Sequence, residues 1–346
     1  LFRSQRSSRI FSYACQYALF LYGIYGSIQM PAVPYYGVQQ GGIGYIKLNE
    51  FTENSAKIVR NAFIDMRHQQ IKGLILDLRN NGGGSELEAA NLVNLFVPKG
   101  VTVVSNRGKL KRANHDYKTT SEPIDPVIPI VVMVNGNSAS AAEIVTGALQ
   151  DMDRAVVLGT KTYGKGLVQM PIDLPYNSEM KVTTSRYYIP SGRCIQARKY
   201  RHNDGGSSEV IADSTKRKFY TLNGREVLDA GGITPDVVVE GDSLPNIAYY
   251  LAAARDSNEV LLNYEVDYIA KHPTVAQPAD FELSDEDYAE FKKRVLDSGF
   301  TYDRTSEKFL KDLEQLTRFE GYYDDAKPEL EALKKKLSHN VAKDLE

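Results

Sequence analysis

The sequence predicts an α/β core with a mostly parallel, helix-covered sheet, extended by a β-rich segment and followed by a module of charged helices. Three observations carry this. Between residues 31 and 160, short apolar runs alternate with segments of helical spacing, the rhythm of βα units. Two runs, IKGLILDLR and IPIVVMVN, are nearly continuous in apolar residues, as in strands covered on both faces. Past residue 255 the texture shifts to helices rich in acids and lysines.

Residues 1–30 stand apart. They hold Arg3, Arg6 and Arg9, no acid, and then the apolar, aromatic run IFSYACQYALFLYGIYGSIQM. A basic head before an apolar run is the layout of a signal or membrane anchor. The Ser, Gln and Gly within the run fit the remnant of an upstream region equally well. Both readings stay open, and membrane association through residues 1–30 is one expectation.

From Pro31 the elements follow in order. GGIGYIKL reads as a short strand. SAKIVRNAFIDMRHQ is a helix, with Ile58, Val59, Phe63 and Met66 near helical spacing. After the strand IKGLILDLR, SELEAANLVNLFV is a helix with Leu87, Ala90, Leu92 and Val93 broadly on one side. The strand IPIVVMVN, the helix SASAAEIVTGALQDM and the strand RAVVLG complete the alternation. LVQMPIDL and EMKVTTSRYYIP read as the β-rich extension. In the tail, LSDEDYAEFKKRVLDSG has a Ser284 N-cap, acids in its first turn, Tyr288, Phe291 and Val295 on one face, and Gly299 past its end. KPELEALKKKL carries the stripe Leu330, Leu333, Leu337, and Glu331 is spaced to pair with Lys335. The expected organisation is an atypical segment 1–30, a core 31–255 and a helical module 256–346.

Composition excludes several functions. The chain has 346 residues, 42% hydrophobic and 25% charged, with a net charge of -2. That balance gives no pull towards nucleic acid. Its 5 histidines are scattered and there is no HExxH, so neither a zinc site nor a histidine cluster is expected. Cys15 and Cys194 form no disulfide framework, and the sequence leaves open whether they pair.

One stretch, VVLGTKTYGKGLVQ, raises nucleotide binding, because a strand runs into G-x-x-x-x-G-K. A phosphate-binding loop of that type needs Ser or Thr after the lysine and a helix starting there. Here Gly166 follows Lys165, and the continuation LVQMPIDLP is strand-like. The expectation is therefore no nucleotide, and Lys165 needs another partner.

That partner lies 25 positions upstream. VNGNSASAAEIVTGALQD sets Ser138 and Ser140 where a buried strand meets a helix, whose first amides are free to hold an oxyanion. Ser138 reads as a structural cap and Ser140 as the candidate nucleophile. A helix over 141–152 runs out about 18 Å, and a strand over 154–160 returns roughly 20 Å. The chain thus comes back to its starting level just before Lys165, within reach of Ser140. A Ser hydroxyl needs a base, and Ser–Lys pairs are a known variant of the triad. An ordinary lysine has a pKa of about 10.4 and serves as a base near neutrality only where burial disfavours its charge by about 4 kcal/mol. Gly164, Gly166, Tyr163, Leu167 and Val168 form an apolar surround for Lys165, and Gln169 is placed to orient the amine. A second glycine cluster, LDLRNNGGGS, follows another buried strand, and Gly82, Gly83 and Gly84 permit close backbone approach.

Together GLILDLRNNGGG, VVMVNGNSASAAEIVTGALQD, RAVVLGTKTYGKGLVQ and GGITPDVVVE resemble the C-terminal processing peptidases, or tail-specific proteases, serine peptidases related to the tricorn core. The blocks span roughly residues 31–250 in the expected order, and the chain is most similar in flavour to Bacteroidetes-type members with a helical C-terminal extension. The resemblance implies a crotonase-like α/β core and endopeptidase activity on extended polypeptide substrates, without metal or cofactor. It implies that Ser140 is the nucleophile, Lys165 the general base and Gln169 its orienting residue. The Ala141 amide and that of Gly83 or Gly84 would form the oxyanion hole. Two features depart from the family pattern. Ala142 stands where a third Ser is common, and the stretch before Pro31 is too short for the usual PDZ domain, so tail specificity does not carry over. The family's usual place is the bacterial cell envelope, periplasmic or membrane-anchored. The contrasting expectation is a catalytically silent peptide-binding or scaffold protein on the same fold.

Overall fold

A computed structural model describes residues 30–200, 208–212, 215–240, 245–253, 259–276, 281–302, 305–337 and 340–346. The expectations for residues 1–29, including Cys15 and its pairing, lie outside the described residues. The chain divides into two compact units, one ending at Gly241 and the other beginning at Asp242.

The first unit is built on a six-stranded sheet. Its strands are β1 (Tyr35–Gln39), β2 (Ile43–Lys47), β3 (Gly73–Asp77), β6 (Ile130–Val134), β7 (Val156–Gly159) and β14 (Val237–Val238), in the order β1-β2-β3-β6-β7-β14. β1 and β2 form an antiparallel hairpin, and every other neighbouring pair is parallel. The parallel pairs need crossovers, supplied by α1 (Ser55–His68) between β2 and β3 and by α3 (Ala141–Asp151) between β6 and β7. Between β3 and β6 the chain makes α2 (Glu86–Val93), β4 (Thr102–Gly108), a short 3-10 turn at Lys111–Ala113 and β5 (His115–Lys118).

A second, antiparallel sheet runs β5-β4-β9-β8, where β8 is Leu167–Leu174 and β9 is Ser178–Tyr188. Two hairpins complete the unit: β10 (Arg198–Tyr200) with β11 (Ser208–Val210), and β12 (Lys218–Tyr220) with β13 (Glu226–Leu228).

The core gathers Leu74, Leu76 and Leu78 from β3 and its end, Val132 and Val134 from β6, Val59, Phe63 and Met66 from α1, and Ile144, Val145 and Leu149 from α3. On α1 the buried stripe is Val59, Ala62, Phe63 and Met66. Ile58, expected on that face, is 41% exposed, because it sits one step round the helix from the i, i+3, i+4, i+7 row. Leu87 is also exposed, and Ala89 takes its expected place beside Ala90, Leu92 and Val93. α1 lacks a side-chain cap from its own Asn54; the Ala56 N–H donates instead to Glu88 Oε2 of α2, at 2.9 Å.

The second unit contains α4 (Asn246–Ala253), α5 (Val260–Lys271), α6 (Asp285–Asp297), α7 (Thr305–Glu320), α8 (Tyr323–Leu337) and α9 (Val341–Asp344). Ser284 caps α6 by accepting the Asp287 N–H, and Gly299 past its end has φ 69°. Tyr264, Phe291, Val295 and Tyr302 form its small core. Leu330 of α8 is buried, while Leu333 is 41% exposed. Among the described residues no helix is long and apolar enough to cross a membrane.

Candidate active site

The parallel strands β3, β6 and β7 all end at one edge of the sheet, and the turns that leave those ends carry the predicted residues. After β3, Asp77 is buried and accepts from the Arg79 guanidinium (Nη2, 2.8 Å) and from the Tyr45 hydroxyl (2.7 Å). Burial opposes its charge, but these donors and the Lys47 ammonium outweigh it and hold its carboxyl below the ordinary range. Beside Asp77, Tyr45 is pushed up to about 12, by burial first and by the Asp77 hydrogen bond second. This cluster fixes the start of the glycine turn.

The turn is pinned further along. Asn81 is fully buried; its Nδ2 donates to Leu48 O, and its Oδ1 accepts the Gly83 N–H at 2.9 Å. The Ala139 N–H donates to Asn81 O at 2.9 Å, joining this turn to the one after β6. Asn80, Asn135 and Asn137 knit the same two turns with side-chain hydrogen bonds of 2.9–3.0 Å.

Gly83 lies against Ser140. A Cβ added to Gly83 would stand 2.6 Å from Ser140 Cβ, 2.7 Å from Ala139 O and 3.0 Å from Ala141 N. Its φ of 101° is also one that side-chain-bearing residues rarely adopt. Of the two glycine amides expected at an oxyanion hole, that of Gly83 is thus engaged with Asn81. The Gly84 and Ala141 N–H groups donate to no acceptor among the described residues.

Ser140 is half-buried immediately before α3, with φ 57° and ψ -118°. This strained conformation turns the chain sharply from strand-end into helix. Ser138 is fully buried and does not cap the helix, contrary to expectation. Its hydroxyl donates to Leu78 O at 2.8 Å and accepts the Asn135 N–H at 3.0 Å, which locks the turn instead.

One side chain that sequence reasoning missed organises the centre. Glu143, in the first turn of α3, is fully buried. Its Oε2 accepts the N–H of Ser140 and the N–H of Lys165, each at 2.9 Å. The two nitrogens therefore lie within twice that distance of each other. Its Oε1 accepts the Gly164 N–H at 2.7 Å and the Thr162 hydroxyl at 2.5 Å. Burial pushes the Glu143 carboxyl up, and the four donors pull against that. A signal was present in the sequence: Ser140 and Glu143 have the S-x-x-E spacing in which a glutamate reaches back to the N-cap amide.

Tyr187 of β9 adds a second tie, and nothing in the sequence marks it. Its hydroxyl donates to Lys165 O and stands 3.4 Å from Ser140 O. Burial, then the charges of Glu143 and Glu86, push its phenol far above the ordinary range.

Lys165 itself is half-buried in a braced loop. The Tyr163 N–H donates to Ser138 O at 3.0 Å, and the Gly166 N–H donates to Oε1 of buried Gln196 at 2.8 Å. β8 begins two residues later, so a strand stands where a phosphate-binding loop needs a helix. Gln169 lies on β8 at a register shift, opposite Thr183 of β9, and is exposed; its side chain makes no hydrogen bond among the described residues. The structure thus gathers Ser140, Ala141, Gly83 and the backbone of Lys165, and sets Gln169 on the strand that leaves them.

Residues 42–204 match peptidase family S41, and residues 247–346 match the family described as probable PDZ-protease, C-terminal helical domain. A carboxy-terminal-processing protease of Bartonella bacilliformis is 40% identical over 161 residues, covering 45% of this chain and 37% of that protein. A chloroplastic C-terminal processing peptidase of Tetradesmus obliquus is 36% identical over 158 residues, 45% of this chain and 33% of that one. The chain thus spans little more than a third of the length of these relatives. Among solved structures, a photosystem II D1 C-terminal processing protease shares 27% identity with a TM-score of 0.47, over 64% of this chain and 51% of that one. Residues 42–204 of the chain are thus similar to peptidase family S41, and residues 247–346 to the helical domain of PDZ-proteases.

Proposed function

We propose that this chain is a serine endopeptidase of the C-terminal processing type, acting on extended polypeptides through a Ser140–Lys165 dyad. The observation that supports it most is the Glu143 carboxylate, which takes the backbone N–H of both residues on a single oxygen. Two residues 25 positions apart share a fixed frame, as a nucleophile and its base require.

In this reading the Lys165 amine takes the Ser140 proton and Ser140 Oγ attacks the scissile carbonyl. The Ala141 N–H and an amide of the glycine turn hold the oxyanion, and such a donor is worth about 10²–10³ in rate. We favour Gly84 for the second donor, since the Gly83 N–H already serves Asn81. The Lys165 ammonium then gives its proton to the leaving amine, and water releases the acyl group by the same steps in reverse order. Gln169 keeps its proposed part as the residue that orients Lys165 in the substrate-bound state. The strained Ser140 backbone suits the role, because strain at such turns points a side chain out of the sheet edge.

The same reading assigns the first unit to a crotonase-like core, supported by parallel β2, β3, β6, β7 and β14 with helices in the crossovers from β2 to β7. It keeps the helical module, expected from residue 256, as a separate body. It also assigns the protein to the bacterial envelope, an assignment resting on the family resemblance and tested by cell fractionation. Casein cleavage by the wild type, absent in Ser140→Ala and in Lys165→Ala with unchanged circular dichroism, is the expected result. A folded wild type that binds peptides and cuts none identifies a scaffold instead.

A further inference from the structure

A second polar cluster adjoins the centre and has no part in the proposed chemistry. Glu86 opens α2, three residues after Gly83, and is half-buried. Its Oε2 accepts from Asn106 Nδ2 of β4 at 2.7 Å. Asn106 is only 6% exposed, and its buried Oδ1 has no hydrogen-bond partner among the described residues. The strand registers place this pair. Asn106 stands opposite His115 of β5 on one side and opposite Tyr187 of β9 on the other. Directly opposed residues share a face, with Cβ atoms about 5 Å apart. Tyr187 is the residue whose hydroxyl meets the carbonyls of Lys165 and Ser140. A polar row thus runs from His115 through Asn106 to the Ser140–Lys165 pair, with Glu86 bonded to its middle member.

The row is short of donors. A half-buried carboxylate and a buried amide oxygen are both acceptors, and the described residues offer Glu86 no ion pair with lysine or arginine. Burial pushes its carboxyl up, and only the Asn106 hydrogen bond and the His115 charge oppose that. Partly desolvated acceptors without enough donors are costly alone and reward a cation that arrives with its own N–H groups. A peptide laid across Ser140 brings side chains to this place.

We propose that Glu86 and Asn106 form a specificity subsite that takes a basic side chain, lysine or arginine, of the bound peptide close to the scissile bond. This rests on the peptidase reading. The test uses fluorogenic peptides of one neutral parent sequence, with lysine, norleucine or glutamate placed in turn at each position on either side of the cleaved bond. The readout is the ratio of kcat/KM for lysine over norleucine. The wild type should favour lysine about tenfold or more at one position, which corresponds to about 1.4 kcal/mol. Glu86→Gln should bring that ratio near one, and Glu86→Lys should shift the preference to glutamate. No lysine preference at any position, or one that survives in both variants, overturns the subsite. If the wild type cuts no member of the series, the peptidase reading falls and the subsite with it, an outcome distinct from cleavage without preference.

Discussion

Gly83→Ala should damage this protein far more than Gly82→Ala, although the two glycines are neighbours in one turn. At Gly83 the new methyl would meet Ser140 Cβ at 2.6 Å, Ala139 O at 2.7 Å and Ala141 N at 3.0 Å. Two of these are backbone atoms and the third is bonded directly to backbone, so none is the free end of a flexible side chain. The φ of 101° adds backbone strain of about 1–3 kcal/mol. Overpacking adds about 1–3 kcal/mol more. The combined cost is about 2–6 kcal/mol, and at roughly 2–4 °C per kcal/mol for a unit of this size the fall in Tm is at least about 4 °C. At Gly82 an added Cβ meets nothing within 4 Å, and its φ is ordinary, so the expected change lies within about 0.5 kcal/mol. The assay pairs thermal unfolding with the rate at which a fluorophosphonate labels Ser140. Gly83→Ala should lower both, because relief of the clash moves Ser140, the proposed nucleophile, and the Ala141 amide. Equal melting temperatures and labelling rates in the two variants would refute the packing of the glycine turn against Ser140.

Other consequences follow from the same geometry. Ser140→Gly should be more stable than Ser140→Ala by about 1–2 kcal/mol, because glycine adopts φ 57° without the strain of a Cβ; matched denaturation curves would remove strain from the account. Glu143 has a raised carboxyl pKa in the folded state, so the folded protein holds that proton more tightly than the unfolded chain. Its contribution to stability is present in acid and lost as pH rises through the folded value. The stability difference between wild type and Glu143→Gln should therefore grow in favour of the wild type as pH falls from neutrality, and a difference that shrinks would contradict it. Arg193 and Asp151 are both buried and paired at 2.8 Å. Arg193→Ala should cost about 3–5 kcal/mol in chemical denaturation, since it leaves a buried carboxylate uncompensated; a loss below about 1 kcal/mol would mean that water already reaches the pair.

Much of this was legible in the sequence because the signals were local. The runs IKGLILDLR and IPIVVMVN become the central strands β3 and β6, since both faces of a parallel sheet are covered and polar residues are excluded. The approach of the Lys165 backbone to that of Ser140 was accessible to a length argument, a helix out and a strand back. What stayed hidden depends on packing between distant segments. α3 is buried all round, so hydrophobic periodicity says nothing about which of its residues face the site. Glu143 looks like an ordinary first-turn acid until Thr162, Gly164 and Lys165 come back against it. Tyr187 reaches the centre through the register of β9 on β4 and on β8, which no spacing within any one strand discloses. Ile58 and Leu87 were expected inside and lie outside, because apolar type alone does not settle a position at the edge of a helical stripe.

The most direct test maps the fluorophosphonate adduct by mass spectrometry and follows its rate of formation in wild type and Lys165→Ala. The account predicts a single adduct on Ser140, and a rate lower by about 10²–10⁴ in the variant, the usual worth of a positioned general base. An adduct elsewhere, or equal rates in the two proteins, would contradict it.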